Sequence, residues 1–289
     1  MRKSSMACGY HPNILITGCS SGIGFCAANL LHQRGYNVVA TVRKADDALT
    51  LQQFGIITTQ LDLTDSQSIK DAVEFTLEHF NGQIDALFNN ASYGQPGAVE
   101  DLSRTVLQQQ FETNVFGTQE LTNLVIAQMR KQGHGRIIYN SSVLGLVSMA
   151  YRGAYNASKY AIEGFADTLR LELYDTDIHI SLIEPGPITS KFRANAFIKY
   201  QQNIDKEKSA HKSTYNAMEQ RLTKQGPAAP FTLPPEAVVA KLIHAIESKR
   251  PKIRYYVTFP TYLFATLKRL LPHRCLDWVL MKISAAENK

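Results

Sequence analysis

Cysteine is scarce in this chain. Its four cysteines, Cys8, Cys19, Cys26 and Cys275, form no C-x-x-C pair and no cluster with histidine, so a zinc site is not expected. So few cysteines are typical of a reducing compartment. The sequence therefore predicts a cytoplasmic protein without a metal.

Long apolar runs are also missing. The N-terminal dozen residues are partly basic and have no apolar centre, so a secretory signal is not expected. The apolar stretch 255–283 is interrupted by prolines and cations and falls short of the ~20 residues that a spanning helix needs. We expect a helix here that packs on the core or on another subunit, although Lys268, Arg269, His273 and Arg274 flank its bulky apolar side chains. An interfacial helix in peripheral contact with a membrane is the alternative.

Positive charge is in mild excess. The formal net charge is +6 at pH 7, which suits nucleic acid, anionic lipid, a phosphorylated cofactor or simply a basic surface. Because nothing except the net charge favours nucleic acid, no nucleic-acid partner is expected.

Short apolar runs alternate with amphipathic stretches along the chain. The strand-like runs are 13–17, 37–42, 56–61, 84–88, 136–140 and 178–183, and the helix-like stretches are 23–34, 66–80, 103–131, 154–173 and 235–249. This alternation predicts an α/β fold, a Rossmann-type doubly wound parallel sheet of about seven strands with helices on both faces. We expect one dinucleotide-binding domain over 1–289, with a substrate-side insertion at 190–234 and an apolar C-terminal extension at 255–289.

A glycine-rich turn joins the first strand to the first helix. Residues 18–24, GCSSGIG, have the spacing G-x-x-x-G-x-G. Glycines let the backbone approach a phosphate closely, and the free N–H groups of the following helix attract an anion. The turn predicts the diphosphate site of a dinucleotide.

The end of the second strand discriminates between two cofactors. An NAD site commonly has an acidic residue there that binds the ribose 2′-OH, but this strand ends in Val42, followed by Arg43 and Lys44. Cations suit a 2′-phosphate. Asp46 and Asp47 leave NAD(H) open, but the local charge favours NADP(H).

Three side chains have the chemistry of an acid–base site. Tyr155 and Lys159 are four residues apart, which places them on one face of a helix. An ammonium close to a phenol lowers the phenol pKa and makes it a usable acid–base group. The spacing alone is not specific. Ser142, just beyond a strand, strengthens the case, because ligands bind at the carboxyl ends of such strands.

Several motifs occur together in one order. They are Thr17-Gly18-x-x-x-Gly22-Ile23-Gly24, Asp62-Leu63, Asn89-Asn90-Ala91-Ser92, Asn114, Ser142, Tyr155-x-x-x-Lys159 and Pro185-Gly186-Pro187-Ile188-Thr189. With them the chain resembles the short-chain dehydrogenase/reductase family. It is most similar to the branch of bacterial NADP(H)-dependent aldehyde reductases, 17β-hydroxysteroid dehydrogenases and retinol dehydrogenases. Ser92 departs from the family, which usually has glycine there, and serine would be strained if the position had a positive φ.

The resemblance implies a set of cofactor contacts. They are Gly18, Ser20 and Ile23 for the adenosine and diphosphate, Asp62 and Leu63 for the adenine, Asn90 and Ala91 for the adjacent ribose, Tyr155 and Lys159 on the nicotinamide side, and Pro185, Ile188 and Thr189 along the nicotinamide. The local charge after the second strand adds Arg43 as the contact for a 2′-phosphate.

The resemblance also implies catalytic roles. Tyr155 would exchange a proton with the substrate oxygen, and Lys159 would lower the Tyr155 pKa and bind the nicotinamide ribose. Ser142 would polarise the carbonyl, and Asn114 would hold a water in the proton relay. We therefore expect hydride transfer between NADP(H) and a carbonyl or alcohol, with reduction of an apolar aldehyde or ketone as the main reaction. The alternatives are NAD-dependent oxidation of a steroid- or retinoid-like alcohol and a cofactor-sensing protein without turnover. A homodimer or homotetramer is expected.

Overall fold

Seven parallel strands form one sheet in the order β3-β2-β1-β4-β5-β6-β7 in the computed structural model, which describes residues 11–227 and 229–287. The strands are β1 (Asn13–Ile16), β2 (Asn37–Val42), β3 (Ile57–Gln60), β4 (Ala86–Asn89), β5 (His134–Asn140), β6 (Asp177–Glu184) and β7 (Arg254–Tyr256). This is the predicted doubly wound α/β fold.

Helices cover both faces of the sheet. They are α1 (Gly22–Gln33), α2 (Ala48–Gln52), α3 (Ser66–His79), α4 (Arg104–Phe111), α5 (Gly117–Gln132), α6 (Gly153–Glu172), α7 (Phe192–Asn203), α8 (Lys212–Thr223), α9 (Glu236–Glu247), α10 (Phe259–Leu270) and α11 (His273–Glu287). Within the described residues, none of these helices has the length and apolarity needed to cross a membrane.

The core has two layers because strand side chains point alternately to opposite faces. Ile14 and Ile16 pack with α1, α2 and α9, whereas Leu15 packs with α3, α5 and α6. All three side chains are fully buried, as expected for a parallel strand covered on both faces.

The strand order reverses at β1, which lies between β2 and β4. The chain connections that follow β1 and β4 therefore lead in opposite directions, which leaves a crevice above the carboxyl ends of these two strands. Open α/β sheets bind their ligands in the crevice at such a switch point.

The long helix predicted over 103–131 is interrupted. A π-helical turn, Glu112–Phe116, separates α4 from α5. Such turns are rare and occur often at functional sites, and this one contains Asn114.

The two segments expected to depart from the alternating pattern are both helical. In 190–234, α7 and α8 bury Tyr200, Tyr215 and Met218 against one another and against Ala98. In the C-terminal segment, Phe264 of α10 and Leu276 of α11 pack on Val147, in the loop after β5. Both segments thus contact the loops that follow the central strands.

Candidate active site

The glycine turn has a backbone that only glycine accommodates. Gly18 and Gly22 have φ angles of +71° and +58°. A Cβ on Gly24 would lie 2.2 Å from the Gly18 carbonyl oxygen, and one on Gly18 would lie 2.8 Å from the Cα of Ala91. Ser20 is exposed and Ile23 half-buried at the start of α1. Free backbone N–H groups at this helix start fit the cofactor's diphosphate.

Polar side chains connect the turn to the neighbouring strands. The Thr17 hydroxyl accepts hydrogen bonds from the backbone N–H groups of Asn90 and Ala91, both at 2.9 Å. The Asn90 amide donates to the Thr17 carbonyl at 2.9 Å and accepts from the Asn140 amide at 2.8 Å. The carboxyl ends of β1, β4 and β5 are thereby held in one rigid frame beneath the crevice.

The expected adenine contacts lie after β3. Asp62 is half-buried and accepts hydrogen bonds at one carboxylate oxygen from the backbone and hydroxyl of Thr64, at 2.9 and 2.8 Å. Leu63 is buried, and a Cβ on Gly117 would lie only 1.7 Å from its carbonyl oxygen. Glycine at 117 is therefore required for α5 to approach this loop.

Arg43 is exposed beyond the end of β2, and within the described ranges it forms no ion pair. Its charge acts on the Tyr93 hydroxyl: burial raises the pKa of Tyr93 to about 12, and Arg43 lowers it. The Lys199 ammonium lies 5.4 Å from the Tyr93 ring centroid. Two cations, Arg43 and Lys199, therefore act on Tyr93.

Lys159 is buried at the bottom of the site. Its ammonium donates to the Asn140 carbonyl at 2.7 Å and lies 5.6 Å from the Tyr155 ring centroid. Burial lowers the pKa of Lys159 to about 8, and the charge of Glu163 raises it. Lys159 therefore carries its charge at neutral pH.

Tyr155 and Ser142 meet although they belong to different elements. Burial raises the pKa of Tyr155 to about 12, while a hydrogen bond with Ser142 and the charge of Arg152 lower it. Lys159 is not among the groups that shift this pKa, so its expected lowering of the Tyr155 pKa stays a prediction. Tyr155 is protonated near neutral pH, which is the state that donates a proton to a carbonyl oxygen. The Ser142 hydroxyl accepts from the backbone N–H of Leu144 at 3.1 Å, which fixes its position.

Asn114 lies in the π-helical turn, and both the oxygen and the nitrogen of its side-chain amide have hydrogen-bond partners. Its side chain accepts from the backbone N–H of Tyr93 at 3.1 Å and donates to the Tyr93 carbonyl at 2.9 Å and the Ser158 hydroxyl at 3.1 Å. Asn114 thus anchors the loop after β4 to α6. In this structure its side chain is a connecting group, and its expected role in holding a water stays a prediction.

The segment after β6 lies beside Ser142. The Pro185 carbonyl accepts from the backbone N–H of Val143 at 2.8 Å, and Thr189 donates to the Leu233 carbonyl at 2.9 Å. Ile188 is half-buried between them. This places 185–189 along the same crevice as the glycine turn.

Ser92 is not strained. Outside glycine, the described residues with positive φ are Asn81, Tyr151 and Phe231, and Ser92 is not among them. The departure from the family sequence therefore needs no compensating change.

Phe192 covers Tyr155. Its ring packs edge-on against Tyr155 with centroids 5.2 Å apart. Gly94 makes room for it, since a Cβ there would lie 2.8 Å from the Phe192 ring. The Tyr155 side of the crevice is thus lined by an apolar ring.

Sequence reasoning missed the roles of Thr17, Asn140 and Phe192. The first two had a signal that could have found them: polar residues at the ends of central parallel strands face the ligand crevice. Phe192 had none, because only the folding of α7 brings it back over α6.

A short chain dehydrogenase family model matches residues 12–201. The chain is 41% identical to the uncharacterized oxidoreductase YbbO of Escherichia coli, over 93% of both chains. It is 38% identical to human retinol dehydrogenase 8 over 62% of this chain and 60% of that one. Human 17-beta-hydroxysteroid dehydrogenase type 1 is 31% identical over 85% of this chain and 77% of its own.

Solved structures have the same fold. A short-chain dehydrogenase from Streptomyces avermitilis superposes with a TM-score of 0.72 at 26% identity, covering 96% of this chain and 97% of that one. A Burkholderia phymatum enzyme in complex with NAD gives 0.75 at 23% identity, covering 93% and 95%. ElxO with NADP bound gives 0.69 at 22% identity, covering 86% and 97%.

Proposed function

The chain belongs to the short-chain dehydrogenase/reductase family of NAD(P)-dependent oxidoreductases, and on that premise we propose that it reduces an apolar aldehyde or ketone with NADPH. The bound cofactor supplies the hydride for the carbonyl carbon. Tyr155 donates the proton to the carbonyl oxygen, and Ser142 polarises that oxygen with a hydrogen bond. The reverse direction oxidises the alcohol.

One observation carries the proposal. The Ser142 hydroxyl lies close enough to the Tyr155 phenol to lower its pKa, and the Lys159 ammonium beside the Tyr155 ring is held by the Asn140 carbonyl. Two hydroxyls that meet in this way can both contact one substrate oxygen. The buried ammonium stabilises the phenolate that remains after proton transfer.

The preference for NADP(H) rests on Arg43. Its side chain is exposed, free of any ion pair in the described part of the chain, and at the end of β2. A guanidinium in that state can bind a phosphate with two hydrogen bonds. Lys199, near Tyr93, adds positive charge on the same side.

The apolar substrate preference rests on Phe192 and on the helices that carry it. The ring lies on Tyr155, so the group next to the reacting carbonyl meets an aromatic surface. We propose that 190–234 is the substrate-side segment of a single dinucleotide-binding domain. A small polar carbonyl compound would leave this ring without a partner.

A second candidate reaction follows from the relatives. NAD-dependent oxidation of a steroid- or retinoid-like alcohol is favoured by the likeness to retinol dehydrogenase 8 and to 17-beta-hydroxysteroid dehydrogenase type 1. A preference for NADH over NADPH, together with turnover of such alcohols, would favour it.

The surroundings of the enzyme are part of the proposal. We propose a cytoplasmic protein whose α10 and α11 contact an anionic membrane surface, because Leu270, Trp278 and Met281 are exposed beside Lys268 and Lys282. We propose a homodimer formed through α5 and α6, which expose several large apolar side chains. These are Phe116, Phe165 and Leu171, with Phe116 immediately before α5.

The test is turnover of a carbonyl panel with NADPH, followed by the absorbance of the reduced nicotinamide. Tyr155→Phe removes the proton donor but keeps the ring against Phe192, so kcat should fall by about 10²- to 10⁴-fold. Tyr160→Phe is the control, because this tyrosine is exposed on the same helix and donates to the Leu146 carbonyl instead. Cofactor binding without turnover of any carbonyl or alcohol would instead indicate a sensing protein.

A further inference from the structure

A buried cluster of charged side chains lies behind the catalytic residues. The Arg254 guanidinium, at the start of β7, contacts three carboxylates. The nitrogen–oxygen distances are 2.8 Å to Glu163 and 3.0 Å to Asp167, both on α6, and 3.0 Å to Glu184 at the end of β6. Glu184 is fully buried and Glu163 nearly so. Asp167 lies at the exposed side of the cluster, with 41% of its side chain exposed.

Glu163 connects this cluster to the active site. It lies four residues after Lys159, on the same face of α6. The Ser141 hydroxyl donates to one of its carboxylate oxygens at 2.5 Å, while Arg254 donates to the other. Ser141 stands between Asn140, which holds Lys159, and Ser142. One carboxylate thus fixes the backbone that positions both catalytic partners of Tyr155.

Gly145 supports the arrangement. A Cβ there would lie 2.8 Å from the Ser141 hydroxyl and 3.0 Å from the Glu163 Cγ. The loop after β5 therefore closes over this hydrogen bond only because residue 145 has no side chain. The Glu163 carboxylate is thereby shielded from water, with 9% of its side chain exposed.

We propose that Glu163 is a positioning residue of the active site, which fixes Ser141 through a hydrogen bond and acts on the Lys159 ammonium through its negative charge. This inference rests on the proposed function, since it assigns Glu163 a role in the same proton-transfer site.

The acids of the cluster differ in how readily they bind a proton. The charged and titratable groups around Glu163 are Lys159 and Asp167 on its own helix, Glu184 from β6, and Arg254 and Tyr256 from β7. Burial and the negative charge of Glu163 raise the pKa of Glu184, while Arg254 lowers it. Glu184 is therefore the acid of the cluster that binds a proton more readily than an ordinary glutamate, whereas Glu163 accepts hydrogen bonds from Ser141 and Arg254.

The negative charge of Glu163 determines the direction in which the Lys159 pKa changes. A nearby negative charge favours the protonated ammonium, so neutralising Glu163 lowers the Lys159 pKa below its value of about 8. Like Glu163→Gln, the Asp167→Asn substitution removes one negative charge and weakens one contact with Arg254. Asp167, however, does not act on Lys159. It is therefore the matched control for a purely structural role of the cluster.

The experiment is a pH titration of the Lys159 side chain by NMR in the full chain with isotope-labelled lysine, the signal being assigned by its loss in Lys159→Arg. Glu163→Gln should lower the titration midpoint by roughly one pH unit. Asp167→Asn should leave it within about 0.3 unit, and Glu163→Asp should restore most of the shift. An unchanged midpoint in Glu163→Gln, or equal shifts in Glu163→Gln and Asp167→Asn, would overturn the proposal.

Two further readouts keep the outcomes apart. The alkaline limb of kcat/KM should move down with the NMR midpoint in Glu163→Gln. Because the titration needs no substrate, a wild-type protein without turnover refutes the proposed function while the role of Glu163 is still decided by the midpoint. If Glu163→Gln does not fold, Glu163→Met, which also removes the charge, takes its place beside Asp167→Asn: a fall of the Lys159 midpoint in Glu163→Met alone supports the proposal, and an unchanged midpoint contradicts it.

Discussion

A buried lysine is destabilised as a cation because the protein interior solvates charge poorly. In this site the Lys159 ammonium retains one short hydrogen bond, to the Asn140 carbonyl, and one neighbouring negative charge, on Glu163. For Tyr155, burial raises the pKa, because the interior disfavours the charged phenolate relative to the neutral phenol. Each residue is thus kept in the state that carbonyl reduction requires, a protonated phenol above an ammonium.

Arg43 allows a prediction about cofactor choice. Replacing Arg43 by Ala should raise the KM for NADPH by about 10- to 100-fold, because a charge-assisted hydrogen bond to phosphate contributes about 1.5–3 kcal/mol. The KM for NADH, which has no 2′-phosphate, should change by less than about twofold. Steady-state kinetics with both cofactors measure the difference.

The control for this change is Arg130→Ala. Arg130 is exposed in the last turn of α5, which leads into the start of β5, at the edge of the sheet opposite the crevice. Arg130→Ala removes one positive charge, as Arg43→Ala does, but at a position away from the expected cofactor site. Equal losses for NADPH and NADH in Arg43→Ala would refute the preference for NADP(H).

At the scale of elements, the π-helical turn before α5 has a clear consequence. It places Asn114 where its side chain reaches the backbone of Tyr93 and the hydroxyl of Ser158 at once. A continuous α-helix would rotate Asn114 away from one of these partners. The irregular turn therefore joins the loop after β4 to the catalytic helix α6.

The helices α10 and α11 bury one face each and leave large apolar side chains on the other. Leu270 is 73% exposed, Met281 60% and Trp278 59%. Cations on these helices are Lys268, Arg269, Arg274 and Lys282, and the acidic residues are Asp277 and Glu287, of which Glu287 pairs with Arg152 and Arg221. Two copies meeting through this surface would bring like charges together, whereas an anionic bilayer complements it.

Trp278 reports on this surface, because it is the one tryptophan of the chain. Its fluorescence should shift to shorter wavelength on adding vesicles with anionic lipid, and the shift should weaken with salt. Leu270→Glu combined with Met281→Glu should abolish the shift.

Leu49→Glu is the control for that experiment, since Leu49 is equally exposed on α2. A shift that appears without vesicles as protein concentration rises would indicate contact between copies instead. No shift with anionic vesicles would contradict the membrane proposal.

At the scale of the whole molecule, one face of the sheet is covered by helices that expose large apolar side chains. The layer formed by α5 and α6 ends in exposed aromatic and aliphatic side chains, with Leu171 71% exposed. Large apolar groups on neighbouring helices are typical of an oligomer interface. If the proposed homodimer forms through this layer, Phe165→Glu should convert it to a monomer, measured by light scattering after size-exclusion chromatography.

Phe54→Glu should leave the mass of the oligomer unchanged, because Phe54 follows α2 on the opposite side of the sheet. A wild-type protein that elutes as a monomer at micromolar concentration would contradict the dimer proposal. A tetramer that Phe165→Glu reduces to a dimer would indicate that α5 and α6 form one of two interfaces.

The sequence alone predicted the alternating strands and helices, the glycine turn and the pair of Tyr155 with Lys159, because each depends on local spacing along one element. It did not predict Phe192 against Tyr155, the Asn140 carbonyl beneath Lys159, or the carboxylates around Arg254. These contacts join residues of different elements, and only the strand order and the packing of the helices bring those elements together. Local periodicity thus determined the fold class and the candidate catalytic groups, whereas tertiary packing decided their protonation states and their partners.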